Sequence, residues 1–235
     1  MDDTNFFEKH RNSKFIFPKI PDKLTTIAKQ ANWILIESKI PYLPLDIAGP
    51  WKEMYNEALQ LDSEFVTHRS DAMGWSSLTI HGLSATKTMS PDAYPEYADI
   101  PEKELNYTWT EIQDRCPVTV SYFRDIFGWP SYGRIRFMKL EPGGYIPPHT
   151  DGQSHALVAV NISLNNPENC EMIVEDVGVI PFKDSGGALA FNNCRKHSVK
   201  NASDISRYHI IVHGTWGSTY SELVVRSYKK LLELQ

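Results

Sequence analysis

His149 and Asp151 stand two positions apart in PPHTDGQSHALVAVNISL, a stretch that begins at Pro147. In an extended segment, side chains at i and i+2 point to the same face. An imidazole and a carboxylate so placed can grip one cation together, with Thr150 turned away. The same spacing also occurs in polar turns ahead of strands, so the pair alone does not decide between a metal claw and a turn.

A third ligand must come from elsewhere, and His197 in FNNCRKHSVKN is the candidate. By itself, beside Arg195 and Lys196, it reads as a surface histidine. Two histidines and a carboxylate make the facial triad of non-haem Fe(II) sites. Three protein ligands on one face leave three positions for a bidentate cosubstrate and O2, whereas a structural zinc site closes its shell with four. Arg207 follows His197 by ten positions, at the head of RYHIIVHGTW. If a tight connection joins two antiparallel strands there, Arg207 lands across from His197. A guanidinium pairs bidentately with a carboxylate. An inward arginine on an apolar strand needs an anion, which a cosubstrate would supply. Without a metal site, a solvent-facing arginine at a strand end is the alternative.

Period two sorts the neighbours. Arg134 and Arg136 share one face of GRIRFMKL, opposite Ile135 and Phe137; that face either binds a substrate carboxylate or is solvated. Asn161 and Ser163 share a face after the claw, and line a cosubstrate pocket or form a polar strand edge. His209 has the parity of Arg207 and is a pocket candidate. His213 reads as a strand-end residue, Asn192 and Asn193 as a turn, and His155 as a loop residue. The stretch WSSLTIHGLS, with Trp75 and His81, and the Tyr/Pro-rich loop near 91–97 read as a lid or substrate wall, or as plain surface loops.

These residues need a scaffold. The chain has 235 residues and a formal net charge of -5, enough for one large domain with a sizeable core. The signs are well mixed and no long basic run exists, which argues against nucleic acid as a partner. The polar start MDDTNFFEKHRNSKF has no apolar signal-peptide core, and no apolar run is long enough to span a bilayer. Three scattered cysteines make neither a disulfide framework nor a zinc site, so a cytoplasmic setting is expected. Trp51, Met54, Tyr55, Ala58 and Leu59 follow the spacing of one helical face, after Pro50 at a helix start. Further helices are expected from about 23 to 36 and within PVTVSYFRDIFGW. After Trp129 the chain becomes short β-rich runs punctuated by Gly, Pro, Asn and Asp, the pattern of an antiparallel sandwich or barrel. Residues 1–129 are therefore expected as a helical or mixed extension packed on the core. Residues 130–220 form the β core, and 221–235 a terminal strand or helix, all within one structural domain.

RIRFMKLEPGGYIPPHTD followed by GGALAFNNCRKHSVKNASDISRYHIIVHGTW resembles the aspartyl/asparaginyl β-hydroxylase branch of the Fe(II)- and 2-oxoglutarate-dependent oxygenases. The shared features are L-x-P-G-G before the first histidine, HxD, and the Gly-rich approach to a strand. The second histidine, Arg207 and the closing Trp216 complete them. The resemblance covers roughly residues 130–217. It implies a mainly β fold with flanking helices around a double-stranded β-helix, a cupin-like jelly roll. It implies His149, Asp151 and His197 as iron ligands and Arg207 as the partner of the 2-oxoglutarate C5 carboxylate. Some animal members carry glycine at the carboxylate position; Asp151 keeps a full triad here, and the animal protein substrate does not transfer.

The resemblance further implies a dioxygenase with Fe(II), 2-oxoglutarate and O2 as cofactors, aided by ascorbate in vitro. It would hydroxylate an unactivated C–H of an amino-acid-like substrate, either a free amino acid or an Asp, Asn or Pro residue in a peptide. Another metal-dependent cupin-type enzyme, an isomerase or a zinc enzyme, is the alternative that needs no Arg207 clamp. A non-catalytic jelly-roll binding module would be expected to have lost a ligand.

Overall fold

The computed structural model describes residues 4–151, 155–157 and 159–234. Its eleven strands are β1 (Tyr42–Leu45), β2 (Val66–Thr67), β3 (Met73–Gly82), β4 (Thr108–Trp109), β5 (Ser131–His149) and β6 (Ala159–Asn165), then β7 (Cys170–Val174), β8 (Gly178–Val179), β9 (Ala188–Phe191), β10 (His197–Asn201) and β11 (Arg207–Thr215). Its helices are α1 (Thr4–His10), α2 (Ile27–Asn32), α3 (Trp51–Gln60), α4 (Pro117–Ser121) and α5 (Ser218–Glu233). Every strand pairing is antiparallel. The sheet curls on itself in the order β1-β9-β6-β11-β5-β10-β7-β8, with β3 also on β5. This is the mainly β, double-stranded β-helix architecture expected, with helices on its flank.

Both faces of the curled sheet are packed, and residue parity separates them. Ile135 and Phe137 of β5, Val160 and Ile162 of β6, and Ile210 and Val212 of β11 join a core shared with the helices. Met138 and Leu140 of β5 join a second core inside the barrel, with Val174, Leu189, Phe191 and Val199. Arg134 and Arg136 have the parity of Met138, so their face looks into the barrel. The sequence left that face open between substrate and solvent, and the second packed layer removes the solvent.

The long strand β5 holds the two halves together. Its first part pairs with β11 and β3 and its last part with β10. Gly143 and Gly144 stand between the two parts. Gly143 has φ +71°, and a Cβ on Gly144 would lie 2.7 Å from the Glu141 carbonyl oxygen. The P-G-G of the sequence is therefore a bend that only glycine accommodates.

The region before residue 130 does more than pack on the core. Strand β1 adds to β9, and WSSLTIHGLS is not a loop but most of β3, paired along β5. Its apolar and small residues give no clean alternation because both faces are buried. The first expected helix begins later, at Thr26, whose Oγ1 accepts from Lys29 N–H. It ends in a wide turn over Trp33–Glu37. Helix α3 matches its apolar spacing, and its first residue, Trp51, lies against Gly186 (φ +73°), where any Cβ would strike the indole. The terminal segment is the helix α5, packed on α2 and β1. No helix among the described residues is long and apolar enough to cross a membrane.

Candidate active site

His149 ends β5 and pairs with His197, the first residue of β10. Asp151 follows two residues later, its N–H held by the Asn193 carbonyl at 2.9 Å. One ligand atom from each of these three residues lies within 4.8 Å of the other two. The Asp151 carboxylate stands 3.2 Å from His149 Nε2 and 3.6 Å from His197 Nε2. Cis ligands of a first-row ion with bonds of about 2.1 Å sit roughly 3 Å apart, so the spacing suits one shared ion.

The rings themselves are set for that role. His149 Nδ1 donates to Pro147 O and His197 Nδ1 to Arg195 O, each at 2.8 Å. A carbonyl can only accept, so each Nδ1 carries a proton and Nε2 is the atom each ring has left for an ion. That atom is aimed at the shared point, and a backbone carbonyl behind a ligating ring is a recurrent device for orienting it. Among the described residues, His149 Nε2 is buried with no hydrogen-bond partner. Burial works against a charged Asp151, but the adjacent imidazoles of His149 and His197 outweigh it and hold the carboxyl well below the usual range. The donor set, the tautomers and the spacing all fit Fe(II).

The triad opens into a cavity of about 550 Å³. Its sheet wall is a ladder of facing residues. Arg207 sits opposite Leu140, His209 opposite Met138, Ile211 opposite Arg136, and His213 opposite Arg134. Strand β6 adds Ser163 beside His209, Asn161 beside Ile211 and Ala159 beside His213. Arg207, Asn161, His209, Arg134 and Arg136 line the cavity, as period two predicts. Ser163 is fully buried on the His209 rung, its Oγ without a partner, and is not among the lining residues. Arg207 is 2 % exposed, with Nε and Nη2 unpartnered among the described residues and the guanidinium 4.7 Å over the Phe182 ring. Burial lowers its affinity for a proton, the mark of a cation that lacks an anion.

Two expectations change. Arg207 does not face His197 across a hairpin, because β5 lies between β10 and β11 and pairs with each along a different part of its length. The two meet through the cavity instead. His213 is not a strand-end residue. It lines the cavity on the Arg134 rung, its Nδ1 buried and unpartnered. Burial, then Arg136 and Arg134, hold it neutral. Asn192 is a structural residue, donating to Ile40 O and His155 O, while Asn193 lines the cavity. His155 is exposed and outside it.

The opposite wall comes from residues to which the sequence gave no role. His68, Arg69, Met89 and Ser90 line the cavity, and so does Trp75, whose stretch the sequence left between a lid or substrate wall and a plain loop. Of the 91–97 loop, Tyr94 and Tyr97 pack over the Lys87 ammonium, and Tyr94 Oη accepts from the N–H of Met89, which lines the cavity. The adjoining Thr88 carbonyl accepts Arg136 Nη1 at 2.6 Å, fixing that guanidinium. His81 is buried against Gly133 O and Trp109, outside the cavity.

No curated protein matches the sequence. Among solved structures, the chain is similar to a prolyl-4-hydroxylase from Pseudomonas putida (12% identity, 75% of this chain and 93% of that one, TM-score 0.42). It is also similar to a prolyl hydroxylase from Trichoplax adhaerens in complex with a hypoxia inducible factor peptide (11%, 86% and 95%, TM-score 0.44). A third is an oxidoreductase of the 2OG-Fe(II) oxygenase family from Burkholderia pseudomallei (11%, 83% and 92%, TM-score 0.46). The family model described as aspartyl/asparaginyl beta-hydroxylase matches residues 50–215. That span is most of the chain and contains the triad, the bend of β5 and the cavity arginines, so the chain belongs to the aspartyl/asparaginyl beta-hydroxylase family and is a 2-oxoglutarate-dependent hydroxylase, with Fe(II), 2-oxoglutarate and O2 as its cofactors.

Proposed function

We propose that this chain hydroxylates an unactivated C–H of an amino-acid-like substrate, with His149, Asp151 and His197 holding the iron and Arg207 holding the 2-oxoglutarate C5 carboxylate. One observation carries the reading. Two histidines with Nδ1 tied to backbone carbonyls aim their free Nε2 atoms at the space beside one carboxylate. The iron with 2-oxoglutarate and O2 supplies the oxidising power, yielding succinate, CO2 and an alcohol.

The chain's own residues do the placing. Arg207, buried and short of partners, receives the far carboxylate of the cosubstrate in a bidentate pair. Asn161 and His209 face the cavity between the two arginine ends of the ladder and contact the cosubstrate; Ser163 packs beside His209 on the adjacent strand. Arg134 and Arg136 orient a substrate carboxylate, and Thr88 O and Trp75 keep that wall rigid and dry. The cavity is closed on several sides, which suits a small substrate or a single residue of a peptide. The three cysteines are free thiols, which supports a reducing, cytoplasmic setting.

The test is turnover. Purified protein with Fe(II), ascorbate and 2-oxoglutarate is incubated with pooled amino acids and peptides, and succinate is followed. Iron-dependent succinate that rises with one substrate is expected. Its complete absence under all conditions removes the reading and favours the cupin-type alternatives.

A further inference from the structure

Charge around the cavity does not balance, and the imbalance says what the substrate is. Four arginines line it: Arg69, Arg134, Arg136 and Arg207. The charge of Arg69 is answered by Asp71, through Nε at 2.9 Å and Nη2 at 2.5 Å. Arg207 is the cosubstrate's partner on the reading above, on which this inference rests. Arg134 and Arg136 then remain, and neither has an ion pair among the described residues. Asp151 is the only carboxylate among the described residues that line the cavity, and the triad claims it.

The cosubstrate cannot answer these two charges as well. Arg207 pairs with Leu140 and Arg136 lies four residues earlier on β5, about 13 Å along the strand. A five-carbon diacid built from C–C bonds of about 1.5 Å spans roughly 6 Å. Arg136 is 6 % exposed, its Nη1 spent on Thr88 O and its Nε without a partner. A guanidinium so buried and only half satisfied is costly unless an anion completes it. The polar groups beside it, His213 and Asn161 on the neighbouring strands, bring no negative charge.

We propose that the substrate is a small dianionic acid whose amine is absent or acylated, seated with its negative charges on Arg134 and Arg136. A free zwitterionic amino acid would bring an ammonium into a space with two uncompensated arginines and no carboxylate free to receive it. A dicarboxylate or an N-acylated acidic amino acid brings the matching charge alone.

Three probes of nearly one skeleton separate the possibilities: L-malate, N-acetyl-L-aspartate and L-aspartate. Each is titrated calorimetrically into metal-free protein carrying Arg207→Leu, so that the cosubstrate end cannot capture it. Malate and N-acetylaspartate should bind at least about tenfold more tightly than aspartate. Adding Arg134→Gln should weaken them by about tenfold or more, with Arg134→Lys restoring most of the loss. Unchanged thermal unfolding of these variants shows that the fold is kept; Arg136→Lys serves as the second substitution at the buried position. Aspartate binding as tightly as malate, no binding of any probe, or malate binding indifferent to Arg134→Gln would each overturn the proposal. The oxygenase reading is tested apart from this, by iron-dependent succinate from the unaltered protein. Arg134-dependent malate binding without such succinate would sink that reading and leave the anion seat standing.

Discussion

At the scale of single residues, the site is a set of groups whose hydrogen bonds stop one short. His149 and His197 each spend Nδ1 on a carbonyl and keep Nε2 in hand. Arg207 is buried with two nitrogens unspent. Replacing either histidine with alanine should abolish iron binding, measured by equilibrium dialysis, while thermal unfolding of the metal-free protein hardly moves. A variant that still binds iron stoichiometrically would remove that ring from the ligand set. Arg207→Ala should raise the 2-oxoglutarate requirement at least about tenfold, the loss expected for a charged hydrogen-bonded pair, with less effect on turnover at saturation. An unchanged requirement would strip the residue of that role. His149 and Asp151 were marked in the sequence by their shared period-two face, and His197 and Arg207 by their spacing within the family resemblance. Ser163 shows the limit: parity gave its face, but only the packing shows that it is fully buried beside His209 and does not line the cavity.

At the scale of elements, two devices hold those residues in place, and each has its own test. The bend in β5 lets one strand serve both halves of the barrel. Gly143 needs only its left-handed backbone, since nothing lies within 4 Å of an added Cβ; alanine there should cost about 1 kcal/mol. Gly144 has a carbonyl oxygen in the way at 2.7 Å, which cannot move aside as a side chain could. Gly144→Ala should therefore cost more, about 2 kcal/mol, and loosen iron binding through His149. Equal costs in denaturant titrations would show that the bend is not set by that contact. The second device is Glu57 of α3, 7 % exposed, whose carboxylate accepts from Val118 N, Thr119 N and Thr119 Oγ1 at 2.7 to 2.9 Å. It satisfies the open N–H groups at the start of α4 and ties two distant helices together. Glu57→Ala strands three donors, the two of Thr119 buried and that of Val118 half-buried, and should destabilise by about 3 kcal/mol; Glu57→Gln, which keeps an acceptor oxygen, should cost clearly less. Helix α3 was legible from its apolar spacing, yet nothing in the sequence tied it to α4. The same is true of β3. Its residues reach the cavity through pairing with β5, and long-range pairing leaves no local periodic trace when both faces of a strand are buried.

At the scale of the whole molecule, a barrel lined with arginines must keep its other bases neutral. His68 is 7 % exposed, with Nδ1 facing the hydroxyls of Ser77 at 2.8 Å and Thr88 at 3.2 Å. Burial first, then Arg136 and Arg134, push it down to about 3, with Asp151 pulling weakly the other way. His209 and His213 are likewise held neutral, by burial first, then by Arg207 and Arg136 for His209 and by Arg136 and Arg134 for His213. The sign of the consequence follows from proton counting. Below its ordinary value near 6.5 each histidine takes up a proton in the unfolded chain but not in the folded one. Stability is thus fully present above about pH 6.5 and falls as pH drops towards the depressed folded values. Each such histidine contributes a slope of up to about 1.4 kcal/mol per pH unit. Urea titrations from pH 7 to pH 4 should show this loss for the metal-free protein. In His68→Gln, where no proton can be taken up in either state, the slope should be shallower by up to that amount. An identical slope in the variant would mean that His68 is protonated inside the folded barrel. A dianion seated on Arg134 and Arg136 should reduce the slope as well, because it cancels the charges that oppose protonation of His213 and His68. The ligand preference of the cavity and the acid sensitivity of the fold would then have one electrostatic origin.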